Sequence, residues 1–85
     1  PQHLVILGGG IIGCEMAFAF RKLGSQVTIV QRASRLLDRL EPEVSDLIQT
    51  RCQDVGINLI LNASAHSFDA NTNQLRLEQQ GKPVT

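Results

Sequence analysis

The stretch Leu4-Val5-Ile6-Leu7-Gly8-Gly9-Gly10-Ile11-Ile12-Gly13 decides how this chain folds. Its first four residues are a continuous apolar run of strand length, expected to be a parallel strand covered on both faces. The six that follow read G-x-G-x-x-G, set between that strand and a segment of helical periodicity. In such a turn Gly8 permits the sharp exit from the strand, and Gly10 lets the backbone come close to a pyrophosphate. Gly13 lets the helix pack on the strand. The helix that opens at Ile11 and Ile12 brings unpaired N–H groups and the positive end of its dipole, which together make an anion site. The spacing points to dinucleotide binding.

Downstream, the pattern closes a strand–helix–strand unit. Ile12, Met16, Ala19, Phe20 and Leu23 recur at helical spacing and are the expected buried stripe. Phe20 is the core candidate and Phe18 covers a second surface; Gly24 ends the helix. Val27-Thr28-Ile29-Val30 is a second, β-branched strand, so the unit closes within about 30 residues with a right-handed crossover. Residues 32–40 read as a basic connecting loop. Pro42 suits the first turn of a second helix, with Glu43 and Asp46 near its positive end, while Glu41 is a poor N-cap that predicts a frayed start. Val44, Leu47, Ile48, Cys52 and Val55 are that helix's expected stripe, and Ile57 to Leu61 gives a third strand. Ala65 to Asp69 and Gln74 to Gln79 read as two short strands around a turn. The alternation Leu75-Arg76-Leu77-Glu78 marks an antiparallel strand with one wet face. Gln80-Gly81-Lys82-Pro83 is an expected turn, and Val84-Thr85 an expected strand at its beginning.

Eighty-five residues, with eight basic and eight acidic, make one small domain of zero net charge spanning 1–85. The balance removes nucleic acid or a membrane surface as the main partner. No apolar run approaches the roughly 20 residues of a membrane span. The chain starts at Pro1 directly before a strand and is expected to be an excised piece of something longer. Cys14 and Cys52 form no C-x-x-C, which points to a reducing compartment, the cytoplasm, and to no zinc site. Cys14 stands near a helix N-terminus, which could lower its pKa, yet both cysteines read chiefly as small packed residues. His3 and His66 have no ligand partner at useful spacing and read as structural.

With these elements placed, the chain resembles the NAD(P)H-binding domain of the pyridine nucleotide–disulfide oxidoreductases, the group of dihydrolipoamide dehydrogenase, glutathione reductase and mercuric reductase. The resemblance rests on Gly8 to Glu15, on Leu23-Gly24-Ser25-Gln26-Val27-Thr28-Ile29-Val30, on Pro42-Glu43-Val44 and on Gly56-Ile57. It implies a Rossmann-like three-layer α/β domain, a parallel sheet with a β-meander, truncated before the last parallel strand. It implies too that the domain serves a larger, homodimeric flavoprotein whose FAD and dimerisation domains lie elsewhere. There NAD(P)H exchanges hydride with the flavin, and electrons pass to a cysteine pair absent from this chain. Alone, the fragment is expected to bind and not to react. By the same resemblance, Glu15, read as lying in the first helical turn, orients the nicotinamide, and Ile11 stands where some members carry a Tyr over the flavin. On the 3-2-1-4 order of such sheets the first strand becomes an edge, which predicts marginal stability or association through that edge.

The acidic residue that normally ends the second strand would bond the adenosine ribose and repel a 2′-phosphate. Gln31 holds that position here, and Arg32 and Arg35 follow, whose planar guanidinium groups suit phosphate. This leans slightly toward NADPH; Gly13 stands against it, because NADPH-selective members often carry Ala there. Two other readings remain open: an FAD-binding domain, and a regulatory nucleotide-sensing domain with no redox role.

Overall fold

The computed structural model describes residues 3–72, 74–79 and 82–84. The expected turn residues Gln80-Gly81 and Thr85, expected to lie in a strand, are outside them, as is the side chain of His66.

The chain runs β1 (His3–Leu7), α1 (Ile11–Lys22), β2 (Gln26–Val30), α2 (Pro42–Asp54), β3 (Asn58–Ile60), β4 (Ala63–Asp69), β5 (Gln74–Gln79) and β6 (Lys82–Val84). The first three strands form a parallel sheet in the order β1-β2-β3, with Val5 beside Thr28 and Thr28 beside Asn58. The last three form an antiparallel meander, β4-β5-β6. Lys82 and Pro83 belong to β6 and not to the expected turn, so the meander has all three of its strands.

Because successive side chains on a strand point to opposite faces, the parallel sheet has two different linings. Ile6, Val27 and Ile29 face α1 and α2 in a core that includes Cys14, Ala17 and Cys52. Val30 faces the other way and packs with Ala63 and Leu77 of the meander. Helices, parallel sheet and meander are therefore three layers, as expected. The meander is tied to the end of β2 by the Ala63 N–H, which donates to the Gln31 carbonyl, while the Gln31 N–H extends the β2–β3 pairing by donating to the Ile60 carbonyl.

Both helix stripes differ from expectation. In α1, Ile12 is 75% and Leu23 79% exposed, Met16 and Phe20 are also exposed, and Cys14 and Ala17 are buried instead. Phe18 packs on the core and Phe20 does not. The reason is steric. A Cβ on Gly13 would lie 2.5 Å from the Gly8 carbonyl oxygen, so the small-residue face of the helix is the one pressed onto β1. In α2, Cys52 is buried and Ile48 and Val55 pack on the core, but Val44 and Leu47 are exposed. Their place is taken by Ser45, fully buried because its hydroxyl donates to the Leu36 carbonyl.

Element ends follow the residues that make them. In α1 the Gly24 N–H donates to the Arg21 carbonyl and the Ser25 N–H to the Phe20 carbonyl, a Schellman closure that Gly24 permits at φ +96°. Arg21 then crosses to the end of α2, its Nε donating to the Val55 carbonyl at 2.6 Å. Glu41 caps α2 with no side-chain bond, and Pro42 occupies the first turn. β1 was expected to be covered on both faces. It is not, because Val5 and Leu7 are exposed, whereas its place at the edge of the sheet among the described strands is the one expected. No helix among the described residues is long and apolar enough to cross a membrane.

Candidate dinucleotide cleft

The cleft sits at the carboxyl end of the parallel sheet, where open α/β sheets hold their ligands. Gly8 leaves β1 at φ +110°, a value L side chains rarely adopt, and its N–H donates to the Val30 carbonyl at 2.7 Å. The loop is thus pinned across to the end of β2 before the helix begins. Gly10 is the N-cap of α1 in extended conformation with no side-chain cap, and the Cys14 N–H makes a bond back to its carbonyl. The N–H groups of Ile11, Ile12 and Gly13 precede that bond in the first turn, where the dipole favours an anion.

Gly8, Gly10, Ile11, Ile12, Gly13 and Gln31 line one cavity of about 690 Å³. A Cβ on Gly8 or Gly10 would meet nothing within 4 Å, so both glycines border open space in the cleft. The opposite wall is Leu37, Asp38, Arg39 and Leu40, from the connection between β2 and α2.

Gln31 joins the two walls. It is 9% exposed; its Oε1 accepts the Gly9 N–H at 3.0 Å, and its Nε2 donates to the Arg35 carbonyl and to Asp38 Oδ1, both at 3.3 Å. The Leu37 N–H returns to the Gly9 carbonyl at 2.8 Å, with Leu37 at φ +51°, an uncommon conformation for a branched residue. Leu36 and Leu37 are buried and Ser45 and Gln49 hold the backbone of Leu36, so the loop is a packed part of the core.

Three residues singled out from the sequence stand elsewhere. Glu15 is exposed, beyond the first turn of α1, which contains no acidic residue. Arg35 turns onto its own loop, its Nη2 donating to the carbonyls of Asp38 and Leu40. Arg32 is exposed and lines a neighbouring cavity with Ala63 and Ser64. Sequence reasoning missed Leu37, Asp38 and Arg39. Their signal was position: they follow β2 at the same sheet end as the glycines.

Cys14 donates its thiol to the Gly9 carbonyl at 3.7 Å, behind the loop. Burial pushes its thiol up from the ordinary range, opposite in direction to the lowering expected of a helix N-terminus. Burial first, and the neighbouring Cys14 second, push Cys52 up to about 11.

The family model described as pyridine nucleotide-disulphide oxidoreductase matches residues 3–81. A dihydrolipoyl dehydrogenase of Mycoplasma pneumoniae is 42% identical over 82 residues, 96% of this chain and 18% of the relative. A probable pyridine nucleotide-disulfide oxidoreductase, RclA, of Escherichia coli is 41% identical over 80 residues, 94% of this chain and 18% of the relative. The chain therefore spans about a fifth of the length of these relatives. Among solved structures, a ferredoxin reductase from Rhodopseudomonas palustris superposes with a TM-score of 0.84 at 28% identity, covering 95% of this chain and 20% of that one.

Proposed function

The chain belongs to the pyridine nucleotide-disulphide oxidoreductase family, and from that premise we propose that it is the NAD(P)H-binding module of a flavin-dependent disulfide-type oxidoreductase. One observation carries the reading. The glycine turn, pinned to Val30 and opening onto the start of α1, faces a cavity in which Gly8 and Gly10 leave the space of a side chain free.

The residues divide the work as follows. The first-turn N–H groups of α1 take the pyrophosphate, and Gly10 allows its close approach. Ile11, Ile12 and Met16 offer an apolar wall that excludes water from one side of the cleft. Gln31 and the loop after it close the adenosine end. Arg32 and Arg35 belong to the neighbourhood of that end, with Arg35 acting through the loop it staples. Glu15, outside the cavity wall, is available on the surface of α1 to an orienting partner in the flavin domain.

When bound, NAD(P)H supplies a hydride to the flavin. That flavin, the cysteine pair that receives the electrons and the dimer interface belong to the rest of a parent homodimer. A cytoplasmic setting fits the two buried free thiols. By itself the chain binds without turnover.

Titrations of the chain with NADH, NADPH and FAD test the reading. A nicotinamide nucleotide is expected to bind best. Preference for FAD would move the module to the flavin, and no binding of any of the three would overturn it.

A further inference from the structure

We propose that Asp38, held at the cavity wall by Gln31, is the carboxylate that selects NADH over its 2′-phosphorylated form. The inference rests on the cleft being the NAD(P)H site and goes beyond it by naming the residue that discriminates.

The amide at position 31 is engaged. Its oxygen accepts the Gly9 N–H and its nitrogen donates to the Arg35 carbonyl and to Asp38 Oδ1. Both of its donors are thus used, and it is buried, so it has little left to offer a ribose. Those bonds in turn explain why an amide suits the position. A carboxylate at 31 could accept from Gly9 but could not donate to Asp38, and the two acids would repel. The charge that residue 31 lacks is carried instead by its partner, exposed and on the wall of the same cavity.

The cations nearby do not offset it equally. Arg35 keeps its charge near Asp38 but is turned onto the loop backbone, its Nη2 donating to the carbonyls of Asp38 and Leu40. It does not line the cavity, while Arg32 lines the neighbouring one. Arg39 shares the wall with Asp38 and is the opposing charge, but on a long rotatable arm, whereas the carboxylate is fixed by a bond from Gln31.

The test is a titration of the chain with NADH and NADPH, repeated for Asp38→Asn, Asp38→Glu and Arg39→Gln. Asp38→Asn is isosteric and keeps an oxygen for Gln31 Nε2, so the loop stays closed while the charge goes. A carboxylate on the wall of the cleft would repel a doubly charged phosphate bound there, and a preference for NADH of at least about tenfold is expected. Asp38→Asn is expected to narrow that ratio to about threefold or less by strengthening NADPH binding, with NADH nearly unchanged. Asp38→Glu should restore part of it, and Arg39→Gln should widen it. A chain that prefers NADPH, or an Asp38→Asn ratio equal to the unsubstituted one, overturns the assignment while leaving the NAD(P)H module intact. Failure to bind either nucleotide overturns the module and the assignment together.

Discussion

The side-chain oxygen of Gln31 accepts the Gly9 N–H at 3.0 Å in a buried setting, and this bond couples the end of β2 to the middle of the glycine loop. A buried donor that loses its only acceptor costs about 1–3 kcal/mol. Gln31→Leu keeps much of the volume and removes the acceptor, as well as the donors to Arg35 and Asp38. The substitution is expected to destabilise the chain by about 2 kcal/mol, a fall in melting temperature of roughly 10 °C for a domain this size. Thermal denaturation followed by circular dichroism measures it. A loss below about 0.5 kcal/mol, the range of ordinary surface changes, would mean that the bond does not hold the loop.

Two glycines of the same loop should fail in different ways. A Cβ on Gly13 would stand 2.5 Å from the Gly8 carbonyl oxygen and 3.3 Å from Ile6 Cγ2, so Gly13→Ala must push α1 off β1. Overpacking of this kind costs about 1–3 kcal/mol. Gly10 has a negative φ and nothing within 4 Å of its ideal Cβ, so Gly10→Ala should fold normally. Its new methyl group would stand in the cleft. Gly10→Ala is therefore expected to weaken dinucleotide affinity at least tenfold with the melting temperature unchanged, and Gly13→Ala to lower both. Equal melting temperatures for the two variants would remove the distinction.

The same contact at Gly13 explains what the sequence could and could not disclose. The strand–glycine–helix hinge was legible because the turn needs glycine at fixed offsets, and the parallel strands because β-branched runs sit between helix stops. The inward face of α1 was not. Ile12, Met16, Phe20 and Leu23 share one helical spacing, and Cys14, Ala17, Phe18 and Arg21 share another. Hydrophobicity favours the first set, but the closeness of the helix to β1 admits only the second, because small side chains are needed where backbones nearly touch. Ser45 was hidden for a related reason: a hydroxyl looks exposed until the Leu36 carbonyl that satisfies it is known. The far wall of the cleft was hidden because a loop has no period to read. Leu36 and Leu37 are buried by the bonds of Gly9, Ser45 and Gln49 to their backbone and not by a repeating pattern.

The cysteines give a pH dependence of definite sign. Cys52 is fully buried and its thiol is pushed from 9.0 up to about 11, chiefly by burial. A raised folded-state pKa means that the folded form keeps its proton where the unfolded form has lost it. The contribution is complete below pH 9.0 and disappears as the pH rises toward 11. Stability should therefore fall across that window by about 2 kcal/mol, and Cys52→Ala should flatten the slope while costing stability at neutral pH. Urea denaturation at stepped alkaline pH provides the measurement. A slope that persists in Cys52→Ala would assign it to other groups. Slow reaction of both thiols with a thiol reagent in the native state is expected alongside, because the thiolate is the nucleophile and burial disfavours it.

The edge of the parallel sheet supplies the last expectation. β1 has β2 on one side, and among the described residues no strand lies on the other. Its outward N–H and C=O groups are a template for another strand, and exposed Val5 and Leu7 add apolar surface beside them. Leu7 also shares a cavity wall with Ile12 and Met16, so apolar exposure continues from the edge onto α1. An unprotected edge next to an apolar surface favours pairing between copies of the chain. Sedimentation velocity over a concentration series should show the average mass rising with concentration. Val5→Lys should suppress the rise, because a charge on an edge strand penalises a second strand laid against it. A single monomeric species at every concentration, melting cooperatively, would show that the edge is protected by means other than pairing.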